Sequence, residues 1–218
     1  ETTRGDVKFV ITEYGIDELQ GKSIYQRVIE LVQIAHPKFR EELIETAKKR
    51  HYIFADQLTP IQDDLLFLES YKHSFKLKNG KTVDFRPLLP SDEFAYRNFF
   101  YSLQEKTIYL RFFYKMKIFS HEVIQKQWAR IDYRKNMSVI GLVQKGGHQK
   151  IIAIASYAMD EPERAEIAFV VREDFHGMGI ASYLLEILEN IAKENNYKGF
   201  SATVLRENSA MIHIFRKT

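Results

Sequence analysis

The fold of this chain is decided by Ala165-Glu-Ile-Ala-Phe-Val-Val171-Arg-Glu-Asp-Phe-His176-Gly-Met-Gly179-Ile-Ala-Ser-Tyr-Leu-Leu185. The first seven residues are apolar except for Glu166, which is typical of a buried strand. Two glycines follow, and apolar residues then recur at helical spacing. The stretch therefore predicts a strand, a short glycine loop and a helix over about 179–195.

The start of this helix predicts a binding site for an anion. The first turn of a helix has backbone N–H groups without internal partners, and the helix dipole favours negative charge there. Gly177, Gly179 and Ala181 would let a phosphate approach that backbone closely, so the loop suits a pyrophosphate. The loop lacks the lysine of a P-loop, and Ser182 stands where a dinucleotide fingerprint has its third glycine. A βα turn that uses glycine only for tight packing is the structural alternative.

The rest of the chain reads as a mixed α/β layout. Asn79-Gly80 stands between two alternating runs and predicts a hairpin with a type I′ turn. Ser91 is predicted to cap a helix over 91–104, and the aromatic-rich residues 99–119 are either core or the wall of an apolar acceptor pocket. The other predicted strands are 7–12, 138–143, 151–157, 165–171 and 199–205; the other predicted helices are 23–35, 37–50, 120–130 and one from 208; and Gly146-Gly147 is a turn.

Composition excludes several classes of protein. The net charge of the 218-residue chain is 32 − 29 = +3, which is too even to indicate a nucleic-acid partner. There is no cysteine, hence no disulfide or thiolate chemistry, and no apolar run reaches the ~18 residues of a membrane helix. The seven histidines form no ligand pair, so no metal is predicted. We expect a cytoplasmic protein without a membrane or nucleic-acid partner; the sequence does not predict its oligomeric state.

The glycine loop also resembles that of a known superfamily. Residues His176 to Ala181 are similar to the acetyl-CoA loop of the GNAT acyltransferases, with His176 in the place of a Gln or Arg. Asn208 resembles the Asn that begins their last conserved helix. The resemblance implies a GNAT fold, with a central mixed, mostly antiparallel sheet flanked by helices. It also implies an acetyl-CoA site made by Ala168, Phe169, Val170, Val171, His176, Gly177, Met178, Gly179, Ile180, Ala181 and Asn208.

Within GNAT, several spaced motifs resemble the bacterial protein lysine acetyltransferases. These are Phe85-Arg-Pro87, Tyr109-Leu-Arg-Phe-Phe113, His121, Ile131-Asp-Tyr133 and Ala165-Glu166. The acceptor implied is a protein lysine or a small amine. An amine attacks a thioester only when neutral, so a base is needed, and the resemblance gives that role to Glu166. We expect Glu166 to be buried among its apolar neighbours, which would make it a better proton acceptor. A solvent-facing glutamate without a role is the alternative.

The N-terminal segment resembles another family. Residues 2–7, 12–15, 19–23 and 34–40 are similar to the C-terminal end of the acetyl-CoA hydrolase/CoA-transferase family. We therefore predict a partial α/β CoA-transferase tail over 1–55, a linker over 56–74 and a GNAT domain over 75–218. The chain starts without Met and stops at Arg216-Lys-Thr218, before the family's last strand, so we expect a truncated bifunctional fusion whose transferase part is inactive alone.

One departure from the family keeps a second function open. Phe215 stands where many GNAT enzymes have the Tyr that protonates the leaving thiolate. The prediction is an acetyl-CoA-dependent N-acetyltransferase that needs no metal. The alternatives are a regulatory module that senses acetyl-CoA without catalysis, and a scaffold that binds no CoA.

Overall fold

The structure, a computed structural model, describes residues 6–57, 70–113, 133–145 and 148–216. These residues form two compact units. The first contains residues 6–57, Ser70 and 89–94, and the second contains 71–88, 95–113, 133–145 and 148–216. No helix in the described ranges is both long enough and apolar enough to cross a membrane.

The first unit pairs two short strands and two helices. Strands β1 (Phe9–Thr12) and β2 (Gly15–Glu18) form an antiparallel hairpin, and helices α1 (Ile24–Ile34) and α2 (Pro37–Lys49) follow. Ser23 begins α1 with a capping box, in which its hydroxyl accepts from the Gln26 N–H at 3.2 Å. The apolar stripes of the two helices pack together in one buried cluster, which Ile53, four residues after α2, completes; the helical members are Ile29, Val32, Ile44 and Ala47.

The second unit is built on a six-stranded sheet. Its strands lie in chain order, β3 (His73–Lys76), β4 (Thr82–Pro87), β5 (Asn136–Lys145), β6 (His148–Glu161), β7 (Arg164–Val171) and β8 (Gly199–Ser201). Every neighbouring pair is antiparallel except β7 and β8, which are parallel. The helices are α3 (Glu93–Tyr101, whose first two residues belong to the first unit), α4 (Glu105–Phe112), α5 (Ile180–Glu194) and α6 (Ser209–Phe215). This confirms the predicted mixed, mostly antiparallel sheet flanked by helices.

Strands β7 and β8 separate soon after they meet. They pair only from Arg164↔Gly199 to Glu166↔Ser201, although β7 continues to Val171. On its other side β7 stays paired with β6 as far as Val171. The backbone of β7 beyond Glu166 therefore has one edge that pairs with no strand of the described residues, and this opening positions the candidate site.

Helix α5 covers the sheet with an apolar face. It buries Ile180, Leu184, Leu185, Leu188 and Ile191, the stripe that the sequence predicts. Tyr183 stacks on Phe75 of β3 with ring centroids 4.6 Å apart and tilts against Phe85 of β4. Helix α5 therefore rests on the hairpin as well as on the central strands.

Two local predictions are wrong. In the β3–β4 hairpin, the Gly80 N–H donates to the Leu77 carbonyl at 2.9 Å, and Gly80 has a φ of 82° while Asn79 does not lie in the positive-φ region. A type I′ turn needs positive φ at both of its two central residues, and here only Gly80 has it. The loop is therefore not a type I′ turn and has more than two residues. Ser91 is not the helix cap: it lies inside a 3₁₀ turn (Pro90–Asp92), where the Asp92 carboxylate accepts from the Leu89 N–H at 2.9 Å.

Other predictions differ in extent. Strand β8 ends at Ser201, so Thr203 and Val204 of the predicted strand 199–205 lie outside the ladder. Strand β2 and helix α4 were not predicted as elements. The predicted helix 120–130 and the turn at Gly146-Gly147 fall outside the described residues.

Candidate active site

Glu166 lies where β7 and β8 begin to separate. It belongs to the last paired position of the two strands, opposite Ser201. The Thr203 hydroxyl donates to Glu166 Oε1 at 3.0 Å, which fixes the direction of the carboxylate. The expected burial of Glu166 is wrong, because its side chain is exposed although Ala165 and Ile167 on either side are buried. Alternation along the strand explains this: neighbouring residues point to opposite faces.

A cavity of ≈ 290 Å³ opens beside Glu166. Its wall is formed by α4, β6, β7 and α6 and by the segment that follows β8. Ala168, Phe169 and Glu166 come from β7, and Thr203 and Val204 from the segment after β8. The remaining lining residues are Leu110, Arg111, Phe112, Phe113, Ser156, Tyr157, Ala158, Ile167, Asn208, Met211 and Phe215. The cavity therefore combines an apolar wall with few polar groups, as expected for a small-molecule site.

A larger cavity of ≈ 710 Å³ adjoins this one. Residues of α5, β8 and α6 line it, and Ile167, Val204 and Phe215 line both cavities. Residues of β7 and of the segment from β8 onward line both spaces, which therefore adjoin where these two strands part. Glu166 lines only the smaller one, so we place the candidate chemistry there despite its smaller volume.

The glycine loop has the geometry of an anion site. Gly177 and Gly179 have φ values of 72° and 83°, in the left-handed region that favours glycine. Gly179 is the N-cap of α5, and the helix begins at Ile180 and Ala181, whose N–H groups have no helical partner. Among the predicted loop residues, Met178 is half-buried and Ile180 is buried in the core. The backbone of the loop, rather than its side chains, is thus the available donor set.

The His176 side chain forms a hydrogen bond with the end of β7. Its Nε2–H donates to the Val171 carbonyl at 2.7 Å, which ties the loop to the end of β7. In this chain, the histidine that replaces the family's Gln or Arg thus connects the loop to the strand before it.

Two acidic residues stabilise the loop from within. The Glu173 carboxylate accepts from the Gln104 N–H, at the start of α4, at 2.9 Å. The pKa of Glu173 is lowered: partial burial opposes the shift, but hydrogen bonds from Thr107 and Gln104 outweigh it. Hydrogen bonding to Arg172 likewise lowers the pKa of Asp174, and the two side chains form a two-pronged ion pair at 2.6 and 2.8 Å. The loop is therefore anchored to α4 and is not a free surface turn.

Asn208 and Phe215 enclose the far side of the cavity. The Asn208 side chain accepts from the Met211 N–H at 3.3 Å and so caps α6. The Phe215 ring lies 5.6 Å from that of Phe169. The structure thus brings Glu166, Ala168, Phe169 and Asn208 to one cavity, while Val170, Val171 and the loop lie further along β7 and beyond its end.

Sequence reasoning gave no role to several polar residues at this cavity, among them Thr203 and Arg111. Nothing in the predicted strand 199–205 distinguished Thr203 from its neighbours. Arg111 lay within the motif Tyr109 to Phe113 but was given no role. Partial burial lowers the pKa of the Arg111 guanidinium, and electrostatic interactions with Tyr96 and with Glu166 oppose the shift.

The aromatic-rich region divides between the core and the lining of the cavity, and its role as an acceptor pocket stays a prediction. Phe99 and Phe100 are buried core residues, whereas Phe112 and Phe113 line the cavity with Glu166. Tyr114 and Phe119 fall outside the described residues. No group of three or more His, Asp or Glu side chains in the described ranges is arranged to hold a metal ion.

A mixed sheet with a gap after the pairing of β7 and β8, and a glycine loop opening the next helix, defines an acyltransferase. The chain belongs to the acetyltransferase (GNAT) family, whose model matches residues 102–218, more than half of the chain. Residues 1–47 match the acetyl-CoA hydrolase/transferase C-terminal domain. These matches confirm both resemblances that the sequence motifs carried.

Individual relatives agree with this assignment. An acetyltransferase of Pseudomonas aeruginosa is 29% identical over 62% of this chain and 73% of its own length. The acetyltransferase Pat of Mycolicibacterium smegmatis is 26% identical over 80% of this chain but only 47% of its own. The crystal structure of the GNAT domain of S. lividans PAT superposes with a TM-score of 0.60 and 26% identity, covering 68% of this chain and 86% of that one.

The N-terminal segment has different relatives. A 4-hydroxybutyrate coenzyme A transferase of Clostridium kluyveri is 51% identical over 22% of this chain. The chain spans only 11% of the length of that enzyme.

Proposed function

We propose that this chain transfers the acetyl group of acetyl-CoA to the side-chain amine of a protein lysine. One observation carries the proposal: a single cavity is lined by Glu166, by the edge of β7 that pairs with no described strand and by the Asn208 cap of α6. The motifs resembling the bacterial protein lysine acetyltransferases, and the similarity to Pat and to the PAT domain, support lysine as the acceptor. A small amine is the other acceptor that this site would admit.

The donor would lie along the gap between β7 and β8. Its pyrophosphate would accept hydrogen bonds from the backbone of Gly177 to Ala181, where the helix dipole favours negative charge. Its pantetheine amides would pair with the free edge of β7 from Ala168 to Val171, in the manner of an added strand. This places the thioester near the cavity that Glu166 lines.

Glu166 would act as the general base. The amine nitrogen attacks the thioester carbonyl, and its proton passes to the Glu166 carboxylate directly or through a water molecule. A backbone N–H of β7 near Val170 would stabilise the oxyanion of the tetrahedral intermediate. The intermediate then expels the CoA thiolate, which takes a proton from water because Phe215 offers no hydroxyl.

The test is a turnover assay with acetyl-CoA and a lysine peptide, preceded by calorimetric titration of acetyl-CoA. The chain contains no cysteine, so released CoA is the only thiol that a colorimetric reagent detects. Binding followed by CoA release that depends on the peptide supports the proposal. Binding without release, across a panel of lysine peptides and small amines, would contradict it.

The outcome of binding without release would favour the second candidate, an acetyl-CoA sensor. The observation behind it is Phe215, which lines the cavity where a proton donor for the thiolate is expected. Such a module would bind acetyl-CoA and regulate an attached CoA-transferase. The two candidates separate on Glu166, because a sensor does not need its carboxylate.

We further propose that the N-terminal segment belongs to a CoA-transferase or acetyl-CoA hydrolase unit fused to the GNAT domain. The matched segment in residues 1–47 supports this. Phe9, Ile11 and Ile16 lie on one face of the β1–β2 hairpin and are 52%, 71% and 56% exposed, which favours a face that packs against further protein. Mass spectrometry of the protein purified from its natural source would measure the length of the polypeptide that carries this segment.

A further inference from the structure

The exposed position of Glu166 leaves a problem for an enzyme that acetylates lysine. The ordinary pKa of a lysine amine is ~10.4, so nearly all of it is protonated near neutral pH. A carboxylate alone in the acceptor cavity would hold the ammonium form as an ion pair and raise the amine pKa further. The base would thereby oppose the deprotonation that it has to perform.

Arg111 offsets that effect by its position. It lies in the last turn of α4 and lines the same cavity as Glu166. Its guanidinium is half-buried, packs 4.9 Å from the Phe112 ring centroid and makes no ion pair with any described residue. Glu173 fixes the other end of α4 through Gln104, so the helix that carries Arg111 is anchored to the glycine loop. Because burial reduces solvent screening, this positive charge acts on whatever enters the cavity.

We infer that Arg111 is a positioning residue that disfavours the ammonium form of the bound acceptor, so that Glu166 receives a proton instead of trapping a cation. The inference rests on the proposed acetylation of an amine at this site. No covalent step is assigned to Arg111; the proton still moves from the amine nitrogen to Glu166.

Among the residues that the structure describes, few charged and titratable groups surround the cavity. Arg111 comes from α4, Tyr157 from β6 and Glu166 from β7, while Tyr96 of α3 also interacts with Arg111. Helix α6 and its cap contribute Asn208, Met211 and Phe215, none of which titrates. Burial raises the pKa of Tyr96 above its ordinary value, so this tyrosine stays neutral near pH 7 and leaves Arg111 as the positive charge.

The experiment compares Arg111→Gln and Arg111→Lys with the parent, using two acceptors. One is a lysine peptide, and the other is the same peptide with 5,5-difluorolysine, whose fluorines lower the pKa of the amine so that a large fraction of it is neutral at the mildly alkaline pH of the assay. For the lysine peptide, Arg111→Gln should lower kcat about tenfold and lower KM by a similar factor, because the ammonium form now binds unproductively. For the fluorinated peptide, both constants should stay within about twofold of the parent. Arg111→Lys should keep the parental values for both peptides within about threefold.

A loss of kcat that is equal for the two peptides, or that comes without a fall in KM, would show a packing role and overturn the inference. The same holds if Arg111→Lys behaves like Arg111→Gln. If Arg111→Gln fails to bind acetyl-CoA by calorimetry, the pH profile of kcat is measured for the parent protein instead. The inference predicts that kcat rises with pH around a midpoint below the ordinary pKa of lysine. A midpoint at or above that pKa refutes the inference. Absence of turnover in the parent contradicts the proposed function itself.

Discussion

The Thr203 hydroxyl donates a hydrogen bond to Glu166 Oε1 at 3.0 Å, and this bond links β7 to the segment that follows β8, next to the point where the two strands part. Glu166 is in the last paired position of β7, and Thr203 follows the end of β8 by two residues. The bond therefore holds an exposed carboxylate in one direction, which solvent exposure alone would not do. Orientation, rather than burial, is what the structure provides for the proposed base.

Replacing Glu166 with Gln should abolish most turnover. The amide keeps the shape of the side chain and its oxygen still accepts from Thr203, but it does not accept a proton at neutral pH. We expect kcat to fall by about 10²–10⁴, the usual contribution of a general base. Calorimetry should give the parental affinity for acetyl-CoA. Turnover within twofold of the parent would exclude Glu166 as the base and would favour an alternative role for this cavity.

Replacing Thr203 with Val tests the orientation of the carboxylate. Val has nearly the same shape but lacks the donor, so Glu166 would rotate among several directions. A lost hydrogen bond to a charged group on the surface corresponds to about 1 kcal/mol, or roughly fivefold in kcat. Thr203→Ser, which restores the hydroxyl, should recover most of the rate. Equal rates in the Val and Ser variants would show that the hydrogen bond does not matter for turnover.

The strand, loop and helix at 165–195 could be predicted because each carries its own local signal. A run of apolar residues predicts the strand, two glycines predict the loop and an apolar stripe predicts the helix, and none of these signals depends on the rest of the chain. The exposure of Glu166 could not be predicted in the same way, since the sequence does not say which face of β7 is covered. Thr203 and Arg111 reach the cavity only through the end of β8 and the packing of α4, both of which are tertiary features.

The type of the β3–β4 turn was wrong for a related reason. Asn79-Gly80 does predict a hairpin, but the number of loop residues depends on how the flanking strands pair. Here the pairing stops at Lys76↔Thr82, and Leu77 and Lys81 close the turn by a backbone bond of 2.8 Å. Pairing register is set by contacts across the whole sheet, and a dipeptide does not report it.

Replacing Gly179 with Glu tests the glycine loop. A carboxylate at the start of α5 would repel the pyrophosphate of the donor, and a side chain at a φ of 83° adds strain. We expect the calorimetric affinity for acetyl-CoA to fall at least about tenfold. Gly179→Asn is the matched control, because Asn tolerates this backbone region and carries no charge. A loss of binding that is equally large in both variants would attribute the effect to backbone strain and not to charge.

The lysines of the β3–β4 turn should assist capture of the donor. The tip of the Phe75 ring lies 3.9 Å from where a Cβ on Gly179 would stand, so β3 packs beside the glycine loop, and Lys78 and Lys81 follow in the turn that leads from β3 to β4. Changing both lysines to Gln should raise KM for acetyl-CoA about two- to fivefold at low salt, because CoA is polyanionic and exposed charges steer such ligands. The difference should shrink near 1 M salt, where charges are screened over ~3 Å. Lys193→Gln, at an exposed lysine in the last turn of α5 and about 20 Å from the loop along the helix axis, is the control, and an equal effect there would contradict a local role of the turn.

Tyr71 should make the stability of the second unit sensitive to alkaline pH. Its buried hydroxyl donates to the carboxylate of Glu194 in the last turn of α5. Burial, and then the hydrogen bond and charge of Glu194, raise the pKa of Tyr71 above its ordinary value. A folded-state pKa that is higher than the unfolded one stabilises the protein below the unfolded pKa, ~10, and this contribution is lost as pH rises towards the folded value.

Tyr71→Phe should therefore lower the free energy of unfolding by about 1 kcal/mol at pH 8. Above pH ~10 the difference in this free energy between variant and parent should narrow, because the Phe variant has no group to ionise at this position. Urea unfolding at several pH values measures both effects. Tyr183→Phe is the control, since its hydroxyl forms no hydrogen bond with any described residue and its ring remains stacked on Phe75. A gap between Tyr71→Phe and the parent that stays constant from pH 8 to about 11 would mean that Tyr71 stabilises through packing alone.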